Sequence, residues 1–281
     1  MYAIVGTALV VLWKSSKVLN FAQGALTMGA ALVFFHLIYD RGIPKWSAIL
    51  LVIAGAIILA LGIERFAMRR LIGRPIWAPI IMLLGVATLV RGAVFLAFSA
   101  SVIIPKPGNY LLPRGFLHLD SILISKSYLT ACAISAGLFI GLILFFRYTK
   151  LGLGLRALAE DHQVAQSLGV NVKRLLPLVW IIVGLLSAVT GIIMGSIYPI
   201  SADLETFVWL ALPVMLLGGM ESFSGLLLAG PMIGIAQLMC AYYLVPILGN
   251  GIEVVVPYLL MFIVVLVRPW GIFGLRKIER I

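Results

Sequence analysis

Nine stretches of almost unbroken apolar residues, at 2–13, 22–39, 46–63, 76–98, 127–146, 177–198, 206–218, 224–247 and 254–267, take up most of this chain. They do not alternate apolar with polar positions, as the wall strands of a barrel do. Unpaired backbone amides are too costly in hydrocarbon, so runs of this kind enter a bilayer as helices. The hydrophobic share of 63% agrees, against roughly 45–50% in soluble domains. The expected fold class is all-α: a polytopic helical membrane protein with eight or nine membrane segments in one domain over 1–281. Runs 2–13, 206–218 and 254–267 fall short of the roughly 20 residues that a span needs. Short or interrupted segments in transporters often mark broken helices near a solute path. The first run has no basic residue before it and no clear cleavage site, so it reads as retained.

The net charge of +11 does not read as a nucleic-acid footprint, because the basic residues lie in short clusters between apolar runs. The connection 64–75 carries Arg65, Arg69, Arg70 and Arg74. The segment 147–174 carries Arg147, Lys150, Arg156, Lys173 and Arg174, and the tail carries Arg268, Arg276, Lys277 and Arg280. An alternating topology puts all three clusters on one side, which the positive-inside rule makes cytosolic. Connections 40–45, 99–126, 199–205 and 246–253 are then expected outside, the third with Asp203 and Glu205 and no compensating base. Pro105, Pro107, Gly108, Pro113 and Gly115 predict an ordered surface loop within 99–126. Cys132 and Cys240 lie in apolar runs and read as small buried hydrophobes. His36, His118 and His162 are scattered, and no catalytic constellation, metal-ligand set or cofactor motif emerges. There is no Gly-x4-Gly-Lys-[Ser/Thr] phosphate loop, so ATP is not bound by this chain in that manner.

One long polar segment interrupts the apolar pattern. From 153 to 168, Leu155, Leu158, Ala159, Ala165 and Leu168 share one helical face, while Arg156, Glu160 and Gln163 gather on another. Gly152 and Gly154 loosen the start, and Gly169 suits a helix end. Acidic residues at the centre favour a groove on a partner protein over anionic headgroups. Within the spans, Asn20, Gln23 and Thr27 fall on one helical face near a broken start. They either line a solute path or satisfy backbone groups at the break. Arg91, deep in the run 76–98, either binds a substrate carboxylate, pairs with a carboxylate of another span, or snorkels outward. Gly184, Ser187, Ala188, Gly191 and Gly195 form a small-residue stripe suited to close helix packing.

The run RYTKLG at 147–152, then Arg156-Ala157, Ala159-Glu160-Asp161, Ala165 and LGVN at 168–171, resembles the cytoplasmic coupling segment of permease subunits of branched-chain amino acid ABC importers. LNFAQG at 19–24 resembles the Asn-Phe-Ala-His-Gly element of that family, with Gln23 in place of His. LGGMESFSG at 217–225 resembles its Gly-Gly-x-Gly-Ser-x-x-Gly element, and RPWGIFG at 268–274 its usual ending. The resemblance implies a non-catalytic translocation subunit in the plasma (inner) membrane of a prokaryote. It implies docking onto cytosolic ABC ATPase subunits through Gly152, Arg156, Ala157, Glu160, Asp161, Ala165 and Gly169. It further implies a second homologous or identical permease and an extracytoplasmic substrate-binding protein. Relatives of this type carry branched-chain amino acids, other amino acids, amides or urea. Arg91 departs from the family, which more often has a neutral amide there. Glu221 replaces a Gly, and a solvated charge is expected at that turn ahead of a pairing with a base. The competing reading is a secondary transporter driven by an ion gradient; it calls for acidic or Asn-rich ion sites within spans, and these spans hold almost no acids. A membrane-embedded enzyme would need a catalytic constellation.

Overall fold

A computed structural model describes residues 1–71, 74–75, 77–98, 111–119, 122–160, 165, 167, 172–201 and 204–274, with residues 119, 122, 159, 160, 172 and 173 described by backbone only. Helix α1 (Tyr2–Ser16) ends where Lys17 takes a left-handed conformation (φ 54°), its N–H donating to the Trp13 carbonyl at 2.8 Å. That reversal sends the chain back into the bundle, where α2 (Gln23–Tyr39) begins. Helix α3 (Lys45–Gly62) starts behind Pro44, which is favoured beside a first turn that needs no amide donor, and runs on as a π-turn over Ile63–Ala67 and a 3-10 turn over Met68–Leu71. Helix α4 (Trp77–Phe98) follows. The described part of the expected outer loop carries a two-stranded hairpin, β1 (Phe116–Leu119) with β2 (Ile122–Ser125), in the register Phe116↔Ser125. The all-helical expectation is corrected to that extent. The apolar, β-prone sequence of Ile122–Ser125 is the local cause, and proline and glycine counts alone could not show it.

Helices α5 (Lys126–Tyr148), α6 (Lys150–Glu160) and α7 (Val172–Ile197) come next. The short run 206–218 is a broken helix, α8 (Leu204–Trp209) and α9 (Ala211–Gly218), interrupted at Leu210. Helix α10 (Phe223–Tyr243) is capped by Ser222, whose hydroxyl accepts from the Gly225 N–H at 3.0 Å. A single turn, α11 (Val245–Leu248), and α12 (Ile252–Val267) complete the described helices.

Helices α1, α2 and α7 form the inside of the bundle. Apolar positions occur all round α1 and α2, and both are buried along most of their length, as helices without a polar face must be. Helix α7 is pressed against α2 and α3 through its small residues. A Cβ at Gly191 would strike the Thr27 carbonyl oxygen, and one at Gly184 would lie 2.8 Å from the Ala56 carbonyl oxygen. Backbones this close are held by dispersion contacts that a larger side chain would break. On the far side, α1, α9, α10 and α12 share a second apolar cluster around Val10, Met215 and Ile233.

The outer helices show the opposite pattern. Trp46 is 79% exposed, Leu96 90% and Leu238 70%, an apolar surface that a water-soluble monomer does not present. Among the described residues, five helices are long and apolar enough to cross a membrane: Lys45–Leu71, Trp77–Phe98, Lys126–Tyr148, Arg174–Ile197 and Phe223–Tyr243. Four shorter apolar helices, Tyr2–Ser16, Gln23–Tyr39, Leu204–Gly218 and Ile252–Val267, pack among them. The chain is a helical membrane protein. Cys240 is buried as expected, but Cys132 is exposed on α5, because it faces away from the bundle on a helix that buries only a narrow stripe.

Candidate functional site

Three polar features among the described residues bear on the candidate site, and each lies where a helix is broken or bent. The first is the start of α2. Asn20 accepts from the Ala22 N–H at 3.2 Å and donates to Gln23 Oε1 at 2.9 Å. Gln23 Nε2 donates to Ser187 Oγ at 3.0 Å, and the Ser187 hydroxyl donates to the Val183 carbonyl at 2.8 Å. The Thr27 hydroxyl donates to the Gln23 carbonyl at 2.9 Å. All four side chains are buried. Because Ser187 lies near the middle of the 26-residue α7, this cluster places the start of α2 deep inside the bundle. Its polar atoms are used within the chain, which is how a helix break inside hydrocarbon satisfies its freed groups. Asn20 also borders a small cleft with Leu9, Leu19, Phe21, Gly24 and Trp209.

The second feature joins α4 to the broken helix. Arg91 Nε donates to Glu205 Oε2 at 2.9 Å, and its Nη2 donates to the same oxygen. Glu205 is buried, its side chain only 4% exposed, whereas the Arg91 side chain remains 48% exposed. Glu205 fits only because residue 24 has no side chain: a Cβ on Gly24 would run into Glu205 Cγ. One sequence expectation is corrected here. Glu205 does not lie in an outer loop without a base; it opens α8 inside the bundle. Of the three alternatives for Arg91, the structure has the pairing with a carboxylate of another segment, since burying Glu205 demands a counter-charge. Which carboxylate Arg91 meets was not legible in sequence; the signal was Glu205 at the head of a run too short to span.

The third feature is the elbow between α5 and α6. Thr149 separates them with extended backbone, and its N–H and hydroxyl both donate to the Phe145 carbonyl, at 3.1 and 2.7 Å. The Thr149 hydroxyl oxygen also accepts from the Gly152 N–H at 2.9 Å, capping α6. Gly152 packs so closely on Phe145 and Phe146 that a Cβ would strike the Phe145 carbonyl oxygen. Helix α6 therefore starts earlier than position 153, and Gly152 and Gly154 lie inside it; close packing, not looseness, explains them. Leu155, Leu158 and Ala165 are buried against the bundle, while Lys150, Leu151, Leu153 and Arg156 are exposed, and Ala157 is half-buried. The backbone of Glu160 ends the described helix; Asp161 and Gly169 lie outside the described residues.

The remaining sequence elements meet at the same end. The Ile272 and Phe273 N–H groups donate to the Leu217 and Gly218 carbonyls, at 2.9 and 3.3 Å, so the tail is stitched to the turn before α10. Glu221 in that turn is not solvated alone: its carboxylate meets Lys17 Nζ at 2.5 Å, tying together two turns distant in sequence.

Residues 1–265 match the family described as the permease component of branched-chain amino acid transport systems. The chain is 27% identical, over 100% of its length and 93% of the relative's, to the high-affinity branched-chain amino acid transport system permease protein LivH of Escherichia coli. It is 28% identical to the corresponding permease protein BraD of Pseudomonas aeruginosa, over 100% and 94% of the two chains. It is 30% identical to a probable branched-chain amino acid transport permease protein LivH of Methanocaldococcus jannaschii, over 100% and 91%. A solved structure described as PsaBC from Streptococcus pneumoniae in complex with Fab shares the fold, with a TM-score of 0.52, 12% identity, and coverage of 93% of this chain and 86% of that one.

Proposed function

Because this chain belongs to the permease-component family of branched-chain amino acid transport systems, we propose that it is the membrane subunit of an ATP-driven importer for branched-chain amino acids or related small polar solutes. It is a multi-pass membrane protein whose relatives are transport permeases, not enzymes. On this reading the chain is one permease domain with eight or nine membrane segments. ATP is hydrolysed on separate ABC subunits, an extracytoplasmic protein delivers the solute, and a second homologous or identical permease completes the path. The basic connections and the C-terminus lie in the cytosol of a prokaryote.

The observation that carries this reading is the elbow. Helix α6 is amphipathic, pinned to α5 through Thr149 and Gly152, and buries Leu155 and Leu158 beneath the bundle. Its other side presents Lys150 and Arg156 with exposed Leu151 and Leu153, a mixed face suited to a groove on a partner protein. Of the coupling residues, Arg156 and Ala157 with Glu160, Asp161 and Gly169 then make the docking surface, the charged residues setting register, while Gly152 and Ala165 seat the segment against the bundle. When ATP closes the paired ATPases, they push on α6 and tilt α5 and α7. Asn20, Gln23, Thr27 and Arg91 supply polar groups along the solute path, the first three by exchanging their mutual hydrogen bonds as helices shift.

The test is co-purification of the chain with its cognate ATPases, repeated with Arg156, Glu160 and Asp161 replaced by alanine. Association is expected to weaken by about tenfold or more, the loss typical of removing interface anchors. Undiminished association in the variant would overturn the docking role.

A further inference from the structure

We propose that Arg91 and Glu205 together form a binding site for a zwitterionic amino acid on the solute path, the guanidinium taking the α-carboxylate and Glu205 the α-ammonium. The inference rests on the permease reading above and narrows its substrate class, away from amides and urea.

The argument starts from charge. Arg91 lies well inside the 22-residue α4, and half of its side chain is exposed on a helix whose other exposed residues are mostly apolar. A guanidinium at that depth does not rest on lipid at low cost; such groups face a cavity or a polar partner. Here only Glu205 is buried, at the head of a broken helix and against the bare backbone of Gly24. Both observed hydrogen bonds from Arg91 use Nε and Nη2 and converge on one carboxylate oxygen. Among the described residues, that leaves a face of the fork for a second, planar, negatively charged group, which arginine recognises with two parallel N–H bonds.

The pair is neutral as a whole, and this sets the ligand class. A solute carrying both charges can open the Arg91–Glu205 bridge and replace it with two bridges of its own, leaving no charge unpaired. A net anion would satisfy Arg91 and strand the buried Glu205 carboxylate; a net cation would strand Arg91. Amides and urea offer only dipoles and cannot displace either partner. When the solute leaves, the two side chains close on each other again, so the empty site carries no unpaired charge.

The test uses the complete transporter, with both permeases, the ATPases and the binding protein, reconstituted in vesicles, with L-leucine and isobutyramide as probes. Thr88, one turn before Arg91 and exposed, is changed to Cys in a chain carrying Cys132→Ser and Cys240→Ala. Leucine is expected to slow labelling of that thiol by a water-soluble methanethiosulfonate, and isobutyramide to leave it unchanged. In Arg91→Gln/Glu205→Gln, which strands no charge, leucine protection should vanish and uptake fall by about tenfold or more, while the ATPases still co-purify. Protection or uptake that persists in the assembled double variant would overturn the site, as would preferential uptake of isobutyramide by the unaltered transporter. Where the double variant does not assemble, Arg91→Lys keeps the pair but loses the fork. A raised KM for leucine then supports the site, and an unchanged KM overturns it. Failure of the unaltered chain to bind its ATPases would instead sink the importer reading, so the two failures are distinguishable.

Discussion

At the scale of single residues, the bridge between Arg91 and Glu205 has a signature in stability that is separate from transport. Arg91→Gln alone leaves the buried Glu205 carboxylate without a counter-charge, whereas the double exchange with Glu205→Gln removes both charges. Stranding a buried charge costs about 3–5 kcal/mol, less here because Arg91 is half exposed. The single variant is therefore expected to unfold at a lower temperature than the double variant in detergent; the reverse order would show that the bridge does not bury Glu205 as described. Lys17–Glu221 behaves differently. Both side chains are about a third exposed, so Lys17→Met should change stability by no more than about 1 kcal/mol in the same assay. Gly191 is less forgiving: Gly191→Val pushes two methyl groups into the backbone of α2. Its cost, by overpacking, is about 1–3 kcal/mol and should appear as poor yield and a lowered unfolding temperature.

At the scale of elements, helix existence was legible and helix continuity only in part, since the short run 206–218 marked a broken helix. The apolar runs mark every long helix because lipid demands unbroken apolar length. The reversal at 17–22 contains no proline or glycine and depends on Lys17 alone adopting a positive φ, whereas the interruption at Leu210 has a local cause, Pro213, which offers no N–H to the Trp209 carbonyl. The buried face of α6 was readable from spacing, since Leu155 and Leu158 recur at a helical interval. Its start was misread because Gly152 looks like a helix breaker until the nearness of Phe145 is known. The Thr149 cap was available from sequence, as a threonine three residues before the amide that it accepts from. Removing that cap in Thr149→Val should cost about 0.5–2 kcal/mol and weaken ATPase association, measured by co-purification, without touching the docking face. Leu155→Ala/Leu158→Ala should release α6 from the bundle, each truncation costing about 2–5 kcal/mol, and protease accessibility of the 147–174 segment should rise.

For the whole molecule, sidedness is the expectation on which most else depends. With the basic clusters inside, Lys150 should react with an impermeant amine reagent only in inverted vesicles, while a Cys introduced at Arg114 should react with an impermeant thiol reagent from outside intact cells. Labelling of Lys150 from outside would reverse the bundle and remove α6 from any cytosolic engine. The fold class and the family were readable because both rest on long-range composition and ordered motifs. The zwitterion site was not, since Arg91 and Glu205 are far apart in sequence and meet only through the re-entry of α2 and α8. The elbow at Thr149 has a further mechanical consequence. Phe145 receives both donors of Thr149, and Gly152 leaves no slack, so α5 and α6 turn as one crank of fixed angle. Its arms, 11 and 23 residues, are about 16 and 34 Å long. A displacement applied at the short arm is thus geared up roughly twofold at the far end of the long one.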